Sequence, residues 1–331
     1  MKSIFLLSER SFRIVYHPDT LRQISKITEN DGQIHTRDSI LANPESYKDV
    51  SIIFSSWGCT RLDSEILAAL PSLKAVFYAA GSTRGFVTDE FWEKDILLTS
   101  AYKTNAIPGA EFTLATIILS LKRFWHYSSA IQNGEHGDNH ETIPGVNHGT
   151  RVGIISLGAI GQLVCEKLKS LDLDVIAYDP FASDSVFESC SAQKVDTLEE
   201  IFESCDVISL HTPWLPSTEN MITGDLLTRM APNSTFINTS RGMVVDEAAM
   251  MEVLQKRSDL IAILDVIQNE SQRCESPLNR LPNVILSPHI AGSKGRECFR
   301  MGIEAVTECE RFLAGEAPLT PVTKDKMALI A

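Results

Sequence analysis

The stretch RVGIISLGAIGQ, residues 151–162, constrains the fold of this chain more than any other part of its sequence. A run of apolar, strand-like residues comes first, and a helical pattern follows a turn that contains Gly158 and Gly161. Strand-like and helical segments keep alternating afterwards, which predicts a parallel, doubly wound sheet. The strand-like runs from residue 151 onward are RVGIIS, DVIAYD, DVISLHT, STFINTS, LIAILDV and NVILSPH.

The length of the chain predicts two domains. A chain of 331 residues is too long for one ordinary α/β core, and shorter apolar runs recur in its first hundred residues. The last segment, GRECFRMGIEAVTECERFLAGEAP, reads as one long helix that carries the chain back to the first domain. We expect a discontinuous domain of residues 1–104 plus 293–331 around a nucleotide domain of residues 105–292. The helix should stop at Gly315, and its expected apolar stripe is Phe299, Ile303, Val306 and Leu313.

Composition excludes several classes of partner. Lys and Arg number 30 against 43 Asp and Glu, and the resulting charge of -13 repels nucleic acid and anionic lipid. Seven cysteines without a C-x-x-C motif indicate free thiols in a reducing compartment. The apolar N-terminal run is too short for a signal peptide, and EFTLATIILSLKRFW is too short to span a membrane. We therefore expect a cytoplasmic protein with no nucleic-acid or membrane partner.

The turn at residues 156–161 nearly matches the dinucleotide-binding fingerprint G-x-G-x-x-G. Gly158 and Gly161 occupy the second and third glycine positions, but Ser156 occupies the first. We expect a negative φ at Ser156, and NAD binding close to that of a Ser156→Gly variant. Asp179 follows the next strand, where a carboxylate can accept hydrogen bonds from ribose hydroxyls and repel a 2′-phosphate, so NAD is favoured over NADP. The alternative for Asp179 is a turn or cap residue.

Polar residues stand at the carboxyl ends of successive strand-like runs, where open α/β sheets bind ligands. Three residues in this region have the chemistry to bind an anion and move a proton: Arg241, Glu270 and His289. The alternatives are a salt bridge for Arg241, a solvated loop carboxylate for Glu270 and a core imidazole for His289. The strand-end residues are Ser156, Gly158, Asp179, His211, Thr212, Thr239, Ser240, Arg241, Asp265 and His289.

Over nearly its whole length the chain resembles the D-isomer-specific 2-hydroxyacid dehydrogenases. The order and spacing of several motifs carry the resemblance. It implies two Rossmann-like or flavodoxin-like domains with parallel sheets and a cleft between them. The motifs are YAAGS (78–82), NAIPGAEFTLATIIL (105–119), VGIISLGAIG (152–161), YDP (178–180), HTPWLPSTENMI (211–222), NTSRGMVVDE (238–247), LDVIQNE (264–270) and LPNVILSPHIAG (281–292).

The resemblance also implies roles for the site residues. Arg241 would bind the substrate carboxylate, His289 would give the keto oxygen a proton as hydride arrives from NADH, and Glu270 would hold the imidazole. Ala80 and Gly81 would hold the carboxylate from the other domain, and Asp265 would bind the nicotinamide amide. The implied cofactor residues are Gly158, Ala159, Ile160, Gly161, Asp179, His211, Thr212, Pro213, Thr239, Ser240, Arg241, Asp265, His289, Ala291 and Gly292. The implied reaction interconverts a small 2-keto acid and a D-2-hydroxy acid.

Three positions depart from the usual family pattern: Ser156, Ile267 where Phe is usual, and Ser271 where Pro often follows the glutamate. The last two put the shape of the substrate pocket in doubt. A second hypothesis is an NADH-sensing binding module that resembles the C-terminal binding protein corepressors. A third is a phosphorylated substrate, for which the candidate cations are Arg84, Lys103 and Lys294.

The segment between residues 125 and 148 is rich in histidine. His136 and His140 are four residues apart with Asp138 between them, but nearby glycines favour a loop over the helix that a metal site would need. We therefore expect no metal. The resemblance implies that this arm pairs two subunits, so a homodimer through the nucleotide domain is expected.

Overall fold

The computed structural model describes residues 1–135 and 143–329. It divides into two compact units, Met1–Ala106 with Ser293–Ala331 and Ile107–Gly292. The first boundary lies two residues beyond residue 104 and falls inside a long helix, α6 (Tyr102–Leu121). Within the described residues, no helix combines the length and the apolar character needed to cross a bilayer.

The first unit is built on a parallel sheet of four strands. Their order in the sheet is the order in the chain, and isolated parallel bridges place residues 29–34 along the outer side of the first strand. This added edge gives the spatial order of a flavodoxin-like domain. The strands are β1 (Lys2–Leu6), β2 (Val50–Ser55), β3 (Ala75–Tyr78) and β4 (Leu97–Ser100).

Helices cover both faces of this sheet, as near-continuous apolar strands require. Every residue of β2 and β3 is buried. The helices of the unit are α1 (Glu9–Val15), α2 (Pro18–Ile27), α3 (Arg37–Ala42), α4 (Ser64–Ala69), α5 (Asp89–Trp92), α13 (Cys298–Leu313) and α14 (Lys324–Leu329).

The second unit contains a seven-stranded parallel sheet. Its strand order is β11-β10-β9-β8-β5-β6-β7, so the order reverses between β5 and β8 as in a dinucleotide-binding fold. All six strand-like runs predicted from residue 151 onward are strands here, while the short β7 was not predicted. The strands are β5 (Arg151–Ile155), β6 (Asp174–Tyr178), β7 (Gln193–Lys194), β8 (Val207–Leu210), β9 (Thr235–Asn238), β10 (Ile261–Leu264) and β11 (Val284–Leu286). The prediction of an α/β fold with two parallel-sheet units is therefore confirmed.

Some helices of the second unit begin at residues whose side chains accept hydrogen bonds from the first amides. Asp246 accepts a hydrogen bond from the Ala249 amide at 3.0 Å, and Thr197 accepts one from the Glu200 amide at 3.4 Å. Besides most of α6, the unit contains α7 (Phe124–Gln132), α8 (Ala159–Leu168), α9 (Asp184–Cys190), α10 (Leu198–Ser204), α11 (Gly224–Thr228) and α12 (Glu247–Lys256).

The predicted apolar stripe of α13 is wrong at Ile303 and Leu313, although Val306 is buried and the helix and its stop are as expected. Gly315 has φ +73 and donates to the Phe312 carbonyl, while Glu316 donates to the Arg311 carbonyl, which together form a Schellman cap. Ile303 is 52% exposed and Leu313 is 38% exposed. Besides Val306, the buried face is made of residues outside the predicted stripe, several of them small, namely Cys298, Met301, Gly302, Ala305, Glu308 and Cys309.

Close packing explains why small residues form that face. A Cβ on Gly302 would lie 2.4 Å from the carbonyl oxygen of Val15, so the backbone at the end of α1 rests directly on α13. Hydrophobicity alone cannot reveal such an approach, because it ranks Ile303 above Gly302.

Gly302→Ala should therefore destabilise the protein, although the same change inside an ordinary helix stabilises it by about 0.5–1 kcal/mol. Overpacking against the fixed Val15 carbonyl should lower the free energy of unfolding by about 1–3 kcal/mol, measured in denaturant. Gly85→Ala is the control, since its Cβ would meet nothing within 4 Å. Equal stability of the two variants would contradict the close approach.

Candidate active site

The carboxyl ends of parallel strands lie at one edge of the second unit's sheet, and the predicted polar residues follow those ends directly. Ser156 follows β5 and Asp179 follows β6; His211 and Thr212 follow β8. Thr239, Ser240 and Arg241 follow β9, Asp265 follows β10, and His289 comes three residues after β11. The sheet topology thus brings the candidate residues of this unit to one edge.

Hydroxyl groups join three of these strand ends. The hydroxyls of Ser156 and Thr212 are 2.7 Å apart, and the Ser240 hydroxyl donates to the Thr212 carbonyl. The Arg241 Nη1 in turn donates to the Ser240 carbonyl at 2.7 Å. Thr212 and Ser240 are buried, so these bonds satisfy groups that water does not reach.

The predicted negative φ at Ser156 is wrong, because the residue has φ +77. Its amide donates to the Tyr178 carbonyl at 2.8 Å, and its own carbonyl lies under Gly161. The chain must therefore turn sharply between β5 and α8, and the left-handed region is where it does so. The first position of the fingerprint favours glycine for this reason. Serine tolerates the conformation at a cost of about 1–2 kcal/mol.

Gly161 has the packing role that the fingerprint assigns to it, and the surroundings of Gly158 leave room for the role that it predicts there. A Cβ on Gly161 would lie 2.1 Å from the Ser156 carbonyl oxygen, so only glycine lets α8 pack on the turn. A Cβ on Gly158 would meet nothing within 4 Å, which leaves open space beside the backbone. In the described part of the chain no side chain caps the α8 N-terminus, so its first amides are available to an anion.

Asp179 accepts hydrogen bonds from the backbone of its own turn, while its contact with a ribose stays a prediction. Its Oδ2 accepts from the Leu157 amide at 2.7 Å, and its Oδ1 accepts from the Phe181 and Ala182 amides at 2.8 and 3.0 Å. The turn alternative therefore describes real contacts. A carboxylate has about four acceptor positions, so one remains for a further donor.

His211 is buried and lies at the point where the strand order reverses. Its Nε2 is 3.0 Å from the Ser209 hydroxyl, and its Nδ1 has no hydrogen-bond partner among the described residues. Burial lowers the pKa of His211 to about 4, so the ring is neutral near pH 7. An orphaned ring nitrogen at this edge is a ready partner for a bound group.

Arg241 is held beside the loop that carries Glu270. A Cβ on Gly242 would lie 2.0 Å from the Ile267 carbonyl carbon, so the thin backbone predicted next to Arg241 is required by contact with that loop. Burial lowers the pKa of Arg241, and the negative charge of nearby Glu270 partly offsets this effect. Among the described residues, Arg241 forms no salt bridge with Asp246 or Glu247, whose carboxylates accept from the amides of Ala249 and Gln268.

Glu270 and His289 form the pair that the sequence suggested. The His289 Nδ1 lies 2.8 Å from Oε2 and 3.0 Å from Oε1 of Glu270. Both side chains are partly exposed, with 41% of His289 and 37% of Glu270 accessible. The imidazole is therefore not a core histidine, and its Nε2 is the nitrogen that is left for a ligand.

Asp265 shapes the loop that presents His289. Its Oδ1 accepts from the Ile290 amide and the Ser287 hydroxyl at 2.8 and 2.6 Å, and its Oδ2 accepts from the Ala291 amide at 2.8 Å. The His289 amide donates to the Asp265 carbonyl at 3.0 Å, and His289 has φ +54. The buried carboxylate thus holds a loop backbone that is strained at His289.

The structure adds Arg273, which the sequence analysis missed. Its Nη2 donates to the Glu270 Oε2 at 3.1 Å, and its Nε is buried without a hydrogen-bond partner in the described part of the chain. Glu270 and Arg273 lie in the segment Glu270–Glu275, which is kinked at the non-helical residue Gln272 between them. The sequence signal that could have identified Arg273 is its opposite charge three residues after Glu270.

For the remaining predicted residues of this unit, the structure gives mainly their burial. The Thr239 hydroxyl lies 3.3 Å from that of Thr113, and Ala291 is buried. Ala159, Ile160, Pro213 and Gly292 are partly exposed. The departure at Ile267 goes into the hydrophobic core, where the side chain is 4% exposed, while Ser271 is exposed and bonds to Asn269.

Ala80 and Gly81 belong to the first unit. The Ser100 hydroxyl lies 2.9 Å from the Ala80 carbonyl oxygen and 2.5 Å from that of Gly81, which ties the turn after β3 to the end of β4. Arg84, one of the three candidate cations, donates to the Met327 carbonyl. Lys103 and Lys294 are both exposed.

The histidines considered as possible metal ligands lie outside the residues that the structure describes. Among the described residues, no cluster of three or more His, Cys, Asp or Glu side chains is arranged to hold a metal ion. His136, Asp138 and His140 lie outside the described residues.

A family model covers more than half of the chain. The model for the D-isomer specific 2-hydroxyacid dehydrogenase, NAD binding domain, matches residues 114–291. The chain belongs to the D-isomer specific 2-hydroxyacid dehydrogenase family. The resemblance read from the motifs is confirmed, and so is NAD as the cofactor of this domain.

Individual members of the family are moderately similar to the chain. The (S)-sulfolactate dehydrogenase of Chromohalobacter salexigens is 31% identical over 239 residues, which are 70% of this chain and 75% of that protein. The D-3-phosphoglycerate dehydrogenase of Mycobacterium bovis is 30% identical over 282 residues, 85% of this chain and 52% of that protein. The chain spans about half the length of the D-3-phosphoglycerate dehydrogenases it matches.

A solved structure of the family has the same fold. The apo form of D-mandelate dehydrogenase from Rhodotorula graminis superimposes with a TM-score of 0.81 over 98% of both chains, at 23% identity. The residues at the sheet edge also fit the cofactor. There is space for a dinucleotide beside Gly158, and the first amides of α8 can donate to its phosphates. The His211 Nδ1, which has no partner among the described residues, can bond to it as well.

Substitutions at Ser156 should separate backbone strain from hydrogen bonding. Ser156→Ala keeps the left-handed conformation and loses the bond to Thr212, whereas Ser156→Gly loses the bond but also relieves the strain. We expect the free energy of unfolding of the glycine variant to exceed that of the alanine variant by about 1 kcal/mol. Denaturant titration measures the difference, and an alanine variant as stable as the glycine variant would refute the positive φ.

Proposed function

We propose that the chain is an NAD-dependent oxidoreductase that interconverts a small 2-keto acid and a D-2-hydroxy acid. The observation that carries the proposal is the His289–Glu270 pair, at 2.8 Å, beside Arg241 at the strand ends of the unit with the family's NAD-binding domain. The second unit is the cofactor domain, and the first unit, with Ala80 and Gly81, is the substrate domain.

The contact with Glu270 supports one nitrogen of His289 as the proton donor. Because Nδ1 is held by Glu270, Nε2 is the atom that gives its proton to the keto oxygen in reduction and takes it back in oxidation. NADH, when bound, supplies the hydride, and the overall reaction is 2-keto acid plus NADH plus a proton to D-2-hydroxy acid plus NAD. Glu270 holds the ring and balances the positive charge of the protonated form.

Arg241 supplies the recognition of the acid. Its guanidinium has five donors and spends one of them on the Ser240 carbonyl, which leaves a fork for a carboxylate and a donor for the keto oxygen. Its partial burial strengthens both interactions, because water competes less for the charged groups.

The residues around the turn at 156–161 would hold the cofactor. The amides at the start of α8 would receive the pyrophosphate beside Gly158, and the free acceptor position of Asp179 would take a ribose hydroxyl. The other residues proposed for the groove are Ala159, Ile160, Gly161, His211, Thr212, Pro213, Thr239, Ser240, Asp265, Ala291 and Gly292.

The dehydrogenase names of the relatives favour an enzyme over the NADH-sensing binding module. Two of those names, phosphoglycerate and sulfolactate, describe acids with a second anionic group, which keeps the phosphorylated-substrate hypothesis in view for this chain. A turnover screen with NADH and small 2-keto acids, with and without a second anionic group, separates the alternatives. A homodimer through the second unit remains a proposal, and sedimentation analysis tests it.

His289→Gln should lower kcat for keto-acid reduction by about 10²–10⁴-fold, since the proton donor is lost while the amide preserves size and polarity. Steady-state kinetics with NADH measures the loss. His148→Gln is the matched control, because His148 is an exposed histidine of the same unit with 83% of its side chain accessible. If both variants reduced the acid at the parent rate, the assignment of His289 would be wrong.

Asp179→Asn should change the choice of cofactor. Loss of the carboxylate removes both a charge-assisted acceptor for the ribose and the repulsion of a 2′-phosphate, so KM for NADH should rise about tenfold or more. The ratio of kcat/KM for NADH to that for NADPH should fall. Thermal unfolding of the variant checks that the Leu157 and Phe181 contacts survive, and an unchanged ratio in a folded variant would rule out the ribose role.

A further inference from the structure

The carboxylate of Glu270 serves two cationic partners. The His289 Nδ1 approaches both of its oxygens, and the Arg273 Nη2 donates to the Oε2 atom at 3.1 Å. Only 20% of the Arg273 side chain is accessible, so it sits behind the carboxylate rather than in solvent. Arg273 therefore contacts the proposed proton donor only through Glu270.

The contact with Glu270 leaves one buried N–H group of Arg273 unused. Its Nε is buried and has no hydrogen-bond partner among the described residues, although Nε and Nη2 together form one edge of the guanidinium fork. A carboxylate fills such an edge with two parallel bonds. Glu270 now uses both oxygens on His289, so the second bond to Arg273 is available but not made.

We propose that Arg273 is a positioning residue that holds Glu270 in place through both protonation states of His289. The inference rests on the proposed function, because it concerns the proton cycle of that reaction. When His289 carries the proton, Glu270 is bonded to the imidazolium. When Nε2 has given the proton to the keto oxygen, the neutral ring holds Glu270 less strongly, and the Nε and Nη2 atoms of Arg273 take the carboxylate.

The charges around the imidazole indicate the direction of the effect. Glu270 is negative, Arg241 and Arg273 are positive, and Asp265 is negative but spends its oxygens on the loop around His289. Arg273 opposes the positive charge that Glu270 favours on His289, so it helps the ring release its proton. Without Arg273, His289 should remain protonated to higher pH.

The test compares Arg273→Gln, Arg273→Lys and the control Cys274→Ser, which changes an exposed neighbour in the same segment. We expect the alkaline limb of kcat/KM for reduction to move up by about half to one pH unit in Arg273→Gln. Arg273→Lys, which keeps the charge, should restore most of the parent profile, and Cys274→Ser should match the parent. A structural role alone would lower stability or kcat without moving the limb.

A second measurement does not depend on turnover. The ¹⁵N resonances of the His289 ring, assigned by their absence in His289→Gln, report the pH at which the ring loses its proton. This pH should rise in Arg273→Gln and not in Cys274→Ser. If it rises in a protein that reduces no keto acid, the positioning of Glu270 stands and the proposed function fails. If neither it nor the limb moves in a folded Arg273→Gln, the inference is overturned.

Discussion

The buried carboxylate of Asp265 is the interaction on which the candidate site depends. A carboxylate that is only 1% exposed is costly to bury unless donors surround it. Here three donors from the loop after β11 do so. Those bonds fix the loop backbone at the end of β11, including a left-handed His289 that would otherwise relax. The family role of Asp265 toward the nicotinamide amide is a proposal, but its role in presenting His289 follows from the contacts themselves.

A second constraint brings Glu270 to the histidine. Gly242 touches the backbone of residues 267 and 268, so the loop after β10 and the turn after β9 are in van der Waals contact. A side chain at Gly242 would push the Glu270 loop away from Arg241. Ile267, a departure from the family pattern, packs into the core beneath this contact, so it supports the loop rather than lining a pocket.

Much of this could be predicted because strand ends and caps are local properties of the sequence. Alternating apolar runs located the strands, and the rule for parallel sheets then brought Arg241, Asp265 and His289 to one edge. Properties that depend on packing could not be predicted in the same way. The buried face of α13 is set by how closely Val15 approaches Gly302. The contact of Arg273 with Glu270 depends on how the chain bends at Gln272 between them.

The conformation of Ser156 is another property that depends on packing. It changes how the incomplete dinucleotide-binding fingerprint is interpreted. The turn needs a left-handed residue whatever occupies it, so serine carries a strain that glycine would not. The hydroxyl offsets part of that strain through its bond to Thr212, and it adds a link that glycine cannot make. From Thr212 the bonds pass to Ser240 and then to Arg241. In this chain the cofactor turn and the proposed substrate arginine are therefore parts of one hydrogen-bonded row across β5, β8 and β9, and the substitution strengthens that row at the position where the fingerprint looks weakest.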